Sequence, residues 1–316
     1  MVLNIILFAV GLFLLIKGAD WLVNGASIVA KKHQISDLAI GLTIVAFGTS
    51  APELVVNIAA SIEDHQDIVF ANIIGSNNFN LLFILGVAGL ISPLLVQSST
   101  LFKEIPISLA AGVIVLFLAN SFIFQGEILN RLDGILLLIL FLVFLWYVYT
   151  QLKKEPVLEE VKANNLPSWK IWGLIIIGLV ALIAGGKMVV NGAVFMATSF
   201  GVSEKLIGLT VIAAGTSLPE LATSVIAAFK RKSDIAIGNV IGSNIFNIFF
   251  ILGISAMVRP ITYDTAFNGD IFLFIGGTVL LFLLLFFGKK KLGRPAAAFL
   301  LITFIAYTFY QINLEI

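Results

Sequence analysis

"GTSAPE" at residues 48–53 and "GTSLPE" at residues 215–220 each place glycine, proline and an ionisable glutamate in the middle of an apolar run. The runs around them are long. Of 316 residues, 59% are apolar and 12% charged, with mean hydropathy +1.08, where a soluble domain carries about 25% charged residues. A spanning helix needs about 20 mostly apolar residues, and in lipid only helices or closed barrels satisfy their backbone groups. The runs exceed barrel-strand length, so the fold class is an all-α integral membrane protein. Ten spans are expected, at 2–30, 38–62, 68–92, 105–124, 132–151, 170–198, 206–229, 235–258, 270–288 and 295–312. The first lacks the basic start and small-residue cleavage site of a signal peptide and reads as a mature helix.

The two quoted stretches belong to a larger duplication. Sliding the chain by 167 residues superposes 38–86 on 205–253 without a gap, with 25 of 49 pairs identical. The match includes "GSNNFN" at 75–80 against "GSNIFN" at 242–247, and "NGA" at 24–26 against 191–193 extends it into the first helix of each half. The polar stretch 153–168 divides the halves and is too short for a soluble domain. Residues 1–151 and 170–316 are therefore two five-helix repeats, joined by a linker over 152–169.

Cytoplasmic loops carry the excess of Lys and Arg. One face collects 14 basic residues, including Lys31, Lys32, Lys230, Arg231, Lys289 and Arg294, against Arg131, Lys205 and Arg259 on the other. Both termini are expected outside and the linker in the cytoplasm. Five spans per half is an odd number, so the repeats are inverted. Inverted repeats place substrate sites near the midplane, in discontinuous helices at the repeat interface.

The quoted stretches fit that role. Pro52 and Pro219 cannot donate to the carbonyls of Gly48 and Gly215, so each helix loses a bond and kinks. Thr49 and Glu53 share a helical face, as do Thr216 with Glu220, Ser76 with Asn80 and Ser243 with Asn247. An intramembrane glutamate marks function by default, and two of them neutralise one divalent ion. Carboxylate, hydroxyl, amide and carbonyl oxygens suit hard cations such as Ca²⁺. The chain has no cysteine, and its two histidines, His33 and His65, fall in expected loops, which argues against zinc or copper.

"GTSAPE…NIIGSNNFN" and "GTSLPE…NVIGSNIFN" resemble the α-repeats of the Na⁺/Ca²⁺ exchanger family, within the cation/Ca²⁺ antiporters. The resemblance implies a secondary antiporter with no cofactor, whose first and sixth helices slide against an ion-holding core. By motif position it implies ion ligands at Glu53, Glu220, Thr49, Thr216, Ser50, Ser217, Ser76, Ser243, Asn80 and Asn247, plus the carbonyls of Ala46 and Ala213, with calcium between the glutamates and sodium around them. Some archaeal and K⁺-dependent members carry Asp where this chain has Asn247. That departure makes K⁺ coupling the weaker alternative, and the proton-coupled branch's second motif is absent. The implied cargo is Ca²⁺ and Na⁺, the surroundings are plasma-membrane lipid, and neither nucleic acid nor an obligate protein partner is implied. An intramembrane enzyme using Glu53 and Glu220 as acid and base, or a passive cation channel, are the readings from other classes. Duplicated inverted symmetry serves transport and gives an enzyme no advantage. Lys17 with Asp20, and Lys187, are expected near interfaces as paired or snorkelling charges, and Asn24 and Asn191 are expected to serve helix packing.

Overall fold

The structure, a computed structural model, describes residues 2–120, 127–152, 166–200 and 213–315. Its helices are α1 (Val2–Lys32), α2 (Asp37–Thr49), α3 (Ala51–Ile62), α4 (Gln66–Ile91), α5 (Thr100–Ala119), α6 (Arg131–Leu152), α7 (Ser168–Ser199), α8 (Leu218–Phe229), α9 (Ser233–Val258), α10 (Asn268–Phe287) and α11 (Arg294–Glu315). Among the described residues seven helices are long and apolar enough to cross a membrane. The pair α2 and α3, bent by 46°, makes an eighth span. The two remaining expected spans correspond to α8, led by the short turn Ala213–Gly215, and to α11. Residues 206–212 of the first of these lie outside the described residues, as do 121–124 and most of the linker.

Helix α5 begins five residues before its expected start, because Thr100–Glu104 coil as a π-helical turn ahead of Pro106. Pro106, which has no N–H to donate, stands where the π-helical turn gives way to the α-helical part that starts at Ile105.

Apolar side chains point both ways in this fold. Phe13, Leu142, Trp146, Ile176 and Phe287 are exposed on the outside, where lipid replaces water. Polar residues Glu53, Asn57, Ser76, Asn80, Glu220 and Asn247 are wholly buried. Helices α4 and α9 form the centre: their spanning windows are 72% and 83% buried, against 28–39% for the other single spanning helices. Both contain π-helical stretches, Phe79–Ile84 and Phe246–Leu252, at matching positions of the repeats.

Helices α1 and α7 pack against each other through glycines. A Cβ on Gly11 would lie 2.9 Å from the Gly185 carbonyl oxygen, and one on Gly18 would lie 2.7 Å from that of Gly178. The reciprocal contacts, Gly185 on Gly11 and Gly178 on Gly18, are both 2.8 Å. Only glycine admits backbones this close, and the two long helices pack as one body. Asp20 on α1 pairs with Lys230, just past α8, at 2.5 Å and not with Lys17. Four residues separate Asp20 from Asn24, which puts both on the face of α1 that Lys230 meets. Asn24 thus bonds a charge in addition to packing.

Two short antiparallel ribbons join the halves. β1 (Leu94–Leu95) pairs with β4 (Lys291–Leu292), and β2 (Ile128–Leu129) pairs with β3 (Ile261–Thr262). Each takes one strand from each repeat. Val96 N–H to Lys290 and Tyr263 N–H to Glu127 extend them by one bond apiece, at 2.9 and 2.8 Å.

Candidate functional site

Both breaks have the same backbone. Ser50 takes φ −81°, ψ 8° and Ser217 takes φ −88°, ψ 8°, and a new helix starts at the next residue with proline in its first turn. Glu53 and Glu220 consequently stand in the first turns of α3 and α8. There the aligned N–H dipoles favour negative charge or the oxygens that carry it. The break, not side-chain hydrophobicity, is what makes a glutamate tenable at this depth.

The two repeats then exchange hydroxyls. Ser50 Oγ donates to Glu220 Oε1 at 2.9 Å, and Ser217 Oγ donates to Glu53 Oε1 at 3.1 Å. Ser243 Oγ reaches the same Glu220 oxygen at 3.4 Å. Each carboxylate is thus held by the other repeat's break, which sets the two glutamates across one interface. Asn80 Nδ2 donates to Asn244 Oδ1 at 3.2 Å, and Asn247 Nδ2 donates to Asn77 Oδ1 at 3.0 Å. With their nitrogens engaged, the amide oxygens of Asn80 and Asn247 are left over.

Those leftovers share one character. Glu53 Oε2, Glu220 Oε2, Asn80 Oδ1, Asn247 Oδ1 and Ser76 Oγ are all buried without a hydrogen-bond partner. A buried polar atom left unsatisfied costs about 1–3 kcal/mol, more where it is charged, and carboxylate, amide and hydroxyl oxygens are of the kind a hard cation takes. Among the described residues no group of three or more histidine and acidic side chains comes together. The charge available here is that of two carboxylates.

Thr49 and Thr216 face the same region through a second layer that the sequence reading did not single out. Thr49 Oγ1 donates to Asn239 Oδ1 at 3.0 Å, and Thr216 Oγ1 donates to Asn72 Oδ1 at 3.1 Å. Asn72 and Asn239 are 167 residues apart, as are Asn77 and Asn244. All four are polar and identical between repeats inside apolar helices, and that was the available signal. The Ala46 carbonyl accepts from Ser50 N–H at 3.0 Å, and the Thr49 hydroxyl, 3.3 Å from it, has its one hydrogen on the nearer Asn239 oxygen. Ala213 opens the turn before the second break.

The family model for "Sodium/calcium exchanger protein" matches residues 3–150 and 170–313. The chain is 39% identical to the putative antiporter CaxA of Alkalimonas amylolytica over 98% of each chain. It is 32% identical to the sodium/calcium exchanger MaX1 of Methanosarcina acetivorans, over 82% of this chain and 84% of that one. A solved structure of the sodium-calcium exchanger NCX_Mj, soaked with 10 mM Na⁺ and zero Ca²⁺, superposes with TM-score 0.82 at 32% identity, covering 96% of this chain and 97% of the other. The chain belongs to the sodium/calcium exchanger family, as a multi-pass membrane transporter and not an enzyme.

Proposed function

We propose that this exchanger moves Ca²⁺ against Na⁺ by alternating access across the plasma membrane, with net charge transfer in each cycle. The observation that carries the reading is the set of five unpartnered buried oxygens on Glu53, Glu220, Asn80, Asn247 and Ser76. Ten spans in two inverted repeats, 1–151 and 170–316, hold that set near the midplane, with the linker 152–169 in the cytoplasm and both termini outside. Calcium binds between Glu53 and Glu220, whose two charges it neutralises, and the serine hydroxyls turn their oxygens toward it. The Thr49 and Thr216 hydroxyls and the Ala46 and Ala213 carbonyls complete sodium sites around the pair. The match to relatives named as sodium/calcium exchangers supports sodium as the coupling ion, and Asn247 in place of an acid keeps the site at two charges.

Charge counting gives the voltage dependence. One Ca²⁺ on two carboxylates is neutral, and three Na⁺, the number that the family resemblance implies, leave one positive charge on the same pair. One charge crossing 100 mV is worth about 2.3 kcal/mol, so an inside-negative potential draws sodium in and drives calcium out. The test is calcium uptake into proteoliposomes with sodium, potassium or proton gradients imposed separately and the potential clamped. Uptake is expected under the sodium gradient alone, with a calcium ratio that follows the voltage. Full uptake under a proton gradient in sodium-free buffer would refute sodium coupling, and a voltage-independent ratio would refute net charge transfer.

A further inference from the structure

Four charges take no part in the ion site: Asp20 on α1, Lys230 just past α8, Lys187 on α7 and Glu63 just past α3. The 167-residue offset that superposes the repeats carries Asp20 onto Lys187, Glu63 onto Lys230 and Asn24 onto Asn191. Each contact between a long helix and a short one therefore has a symmetry mate with the charges exchanged. The asparagine serves both versions, since an amide donates to a carboxylate as readily as it accepts from an ammonium.

Only one of the two contacts is made here. Lys230 Nζ lies 2.5 Å from Asp20 Oδ1, 2.7 Å from Asn24 Oδ1 and 3.2 Å from the Asp20 carbonyl oxygen. An ammonium has three donors, and all three end on α1. Among the described residues, Glu63 has only the His65 ring nitrogen as a basic neighbour, at 3.9 Å, while Lys187 and Asn191 are exposed and make no ion pair or side-chain hydrogen bond. Perfect two-fold symmetry would make both contacts or neither. In an inverted-repeat transporter the opposite-facing state arises when one part rocks against the other around a fixed site. Helices α1 and α7, joined through Gly11, Gly18, Gly178 and Gly185, move as one part. A shift that draws α1 away from Lys230 exchanges the roles of the repeats and brings Lys187 toward Glu63.

We propose that Asp20–Lys230 and Lys187–Glu63 are alternating latches, the first holding the cytoplasmic approach shut in this conformation and the second closing the outer approach in the opposite one. The proposal rests on the antiport reading and on the basic loops marking the cytoplasmic face. The four charges are positioning residues: they touch no ion and set which side the ion site faces. The Lys230 and Asp20 side chains are 28% and 35% exposed. Half-exposed ion pairs of this kind shift a two-state population about two- to fivefold, and apparent affinity at each face follows that population.

The experiment measures half-saturating calcium at each face in proteoliposomes of known sidedness, for the wild type, Lys230→Gln, Glu63→Gln and the reversed pair Asp20→Lys with Lys230→Asp. Lys230→Gln is expected to lower half-saturating calcium about two- to fivefold at the cytoplasmic face and raise it at the outer face. Glu63→Gln is expected to do the opposite, and the reversed pair to restore wild-type values. Both single variants moving the same face in the same direction, or a reversed pair that behaves like Lys230→Gln, would overturn the latches. A wild type with no calcium exchange would overturn the antiport reading instead.

Discussion

At the two breaks the repeats meet the same need with different residues. In the first, Asn57 Nδ2 donates to the Glu53 carbonyl of its own helix at 2.7 Å. In the second, the matching residue is Ser224, too short for that reach, and Asn239 Nδ2 supplies the Glu220 carbonyl from α9 at 3.2 Å and meets Ser224 Oγ at 2.9 Å. Asn72, the mate of Asn239, keeps a buried Nδ2 with no partner. Glu220 also holds two serine hydroxyls where Glu53 holds one, because Ser243 reaches it and Ser76 bonds neither glutamate. Identical residues in repeat columns thus carry different bonds once one neighbour changes. The carboxylates and serines are shared and symmetric, and the amide layer behind them is not.

The shared part breaks hardest. Glu53→Gln and Glu220→Gln are each expected to lower calcium flux at least a hundredfold with folding intact, since a divalent ion loses half its compensating charge in a buried site. Wild-type flux in either variant would remove that glutamate from the site. Ser50→Ala and Ser217→Ala each delete one hydroxyl from the opposite repeat's carboxylate. A hydrogen bond to a charged group is worth about 1.5–3 kcal/mol, so each is expected to reduce exchange at saturating sodium about tenfold or more. Equal losses sharpen the symmetry of the serine exchange, and a loss confined to one serine breaks it.

The unshared part predicts unequal costs. Asn57→Ala strips the only side-chain donor shown on the Glu53 carbonyl and is expected to destabilise by about 1–3 kcal/mol. Ser224→Ala leaves Asn239 on the Glu220 carbonyl but strips the acceptor of its other N–H, and is expected to cost about 1 kcal/mol, the low end of the same range. Midpoints of thermal unfolding in detergent compare the two, and equal shifts would show that the amide layers are interchangeable.

The smallest effect lies outside the membrane. Asp64 and its mate Arg231 both hold left-handed backbone, φ 67° and 57°. The Gln66 amide, and after it Arg259 at 2.8 Å, hold the Asp64 carboxyl below its usual 3.8. A depressed carboxylate contributes stability that is present above its unfolded value and lost as pH falls through the folded one. Acid sensitivity at this turn is therefore expected below pH 3.8. Arginine does not titrate there, so Asp64→Asn should flatten the acid limb of the unfolding midpoint against pH slightly, and Arg231→Gln should leave it unchanged.

Much of this was legible in the chain itself. The GTSxPE breaks, the two glutamates and most helix positions follow from proline chemistry and apolar run length, and the structure has them in place. The π-helical stretches Phe79–Ile84 and Phe246–Leu252 were not, because in segments apolar on every side no periodic pattern reports a shift in helical phase. The partners of Asp20 and Asn24 were hidden for another reason. Lys230 lies 210 residues from Asp20, and local spacing favoured Lys17. Asn72, Asn77, Asn239 and Asn244 stood in identical repeat columns, yet which of their atoms are spent and which are spare depends on neighbours across the interface.

The ribbons β1–β4 and β2–β3 have a consequence for how the molecule is assembled. Each stitches a loop of one repeat to a loop of the other, and the candidate site's own hydrogen bonds, Ser50 to Glu220 and Ser217 to Glu53, run between repeats as well. Covalent continuity between the halves is then redundant once they have met. Residues 1–151 and 170–316, produced as two separate polypeptides in one cell, should find each other and rebuild a working transporter, as the two ancestral halves of a duplicated gene would once have done.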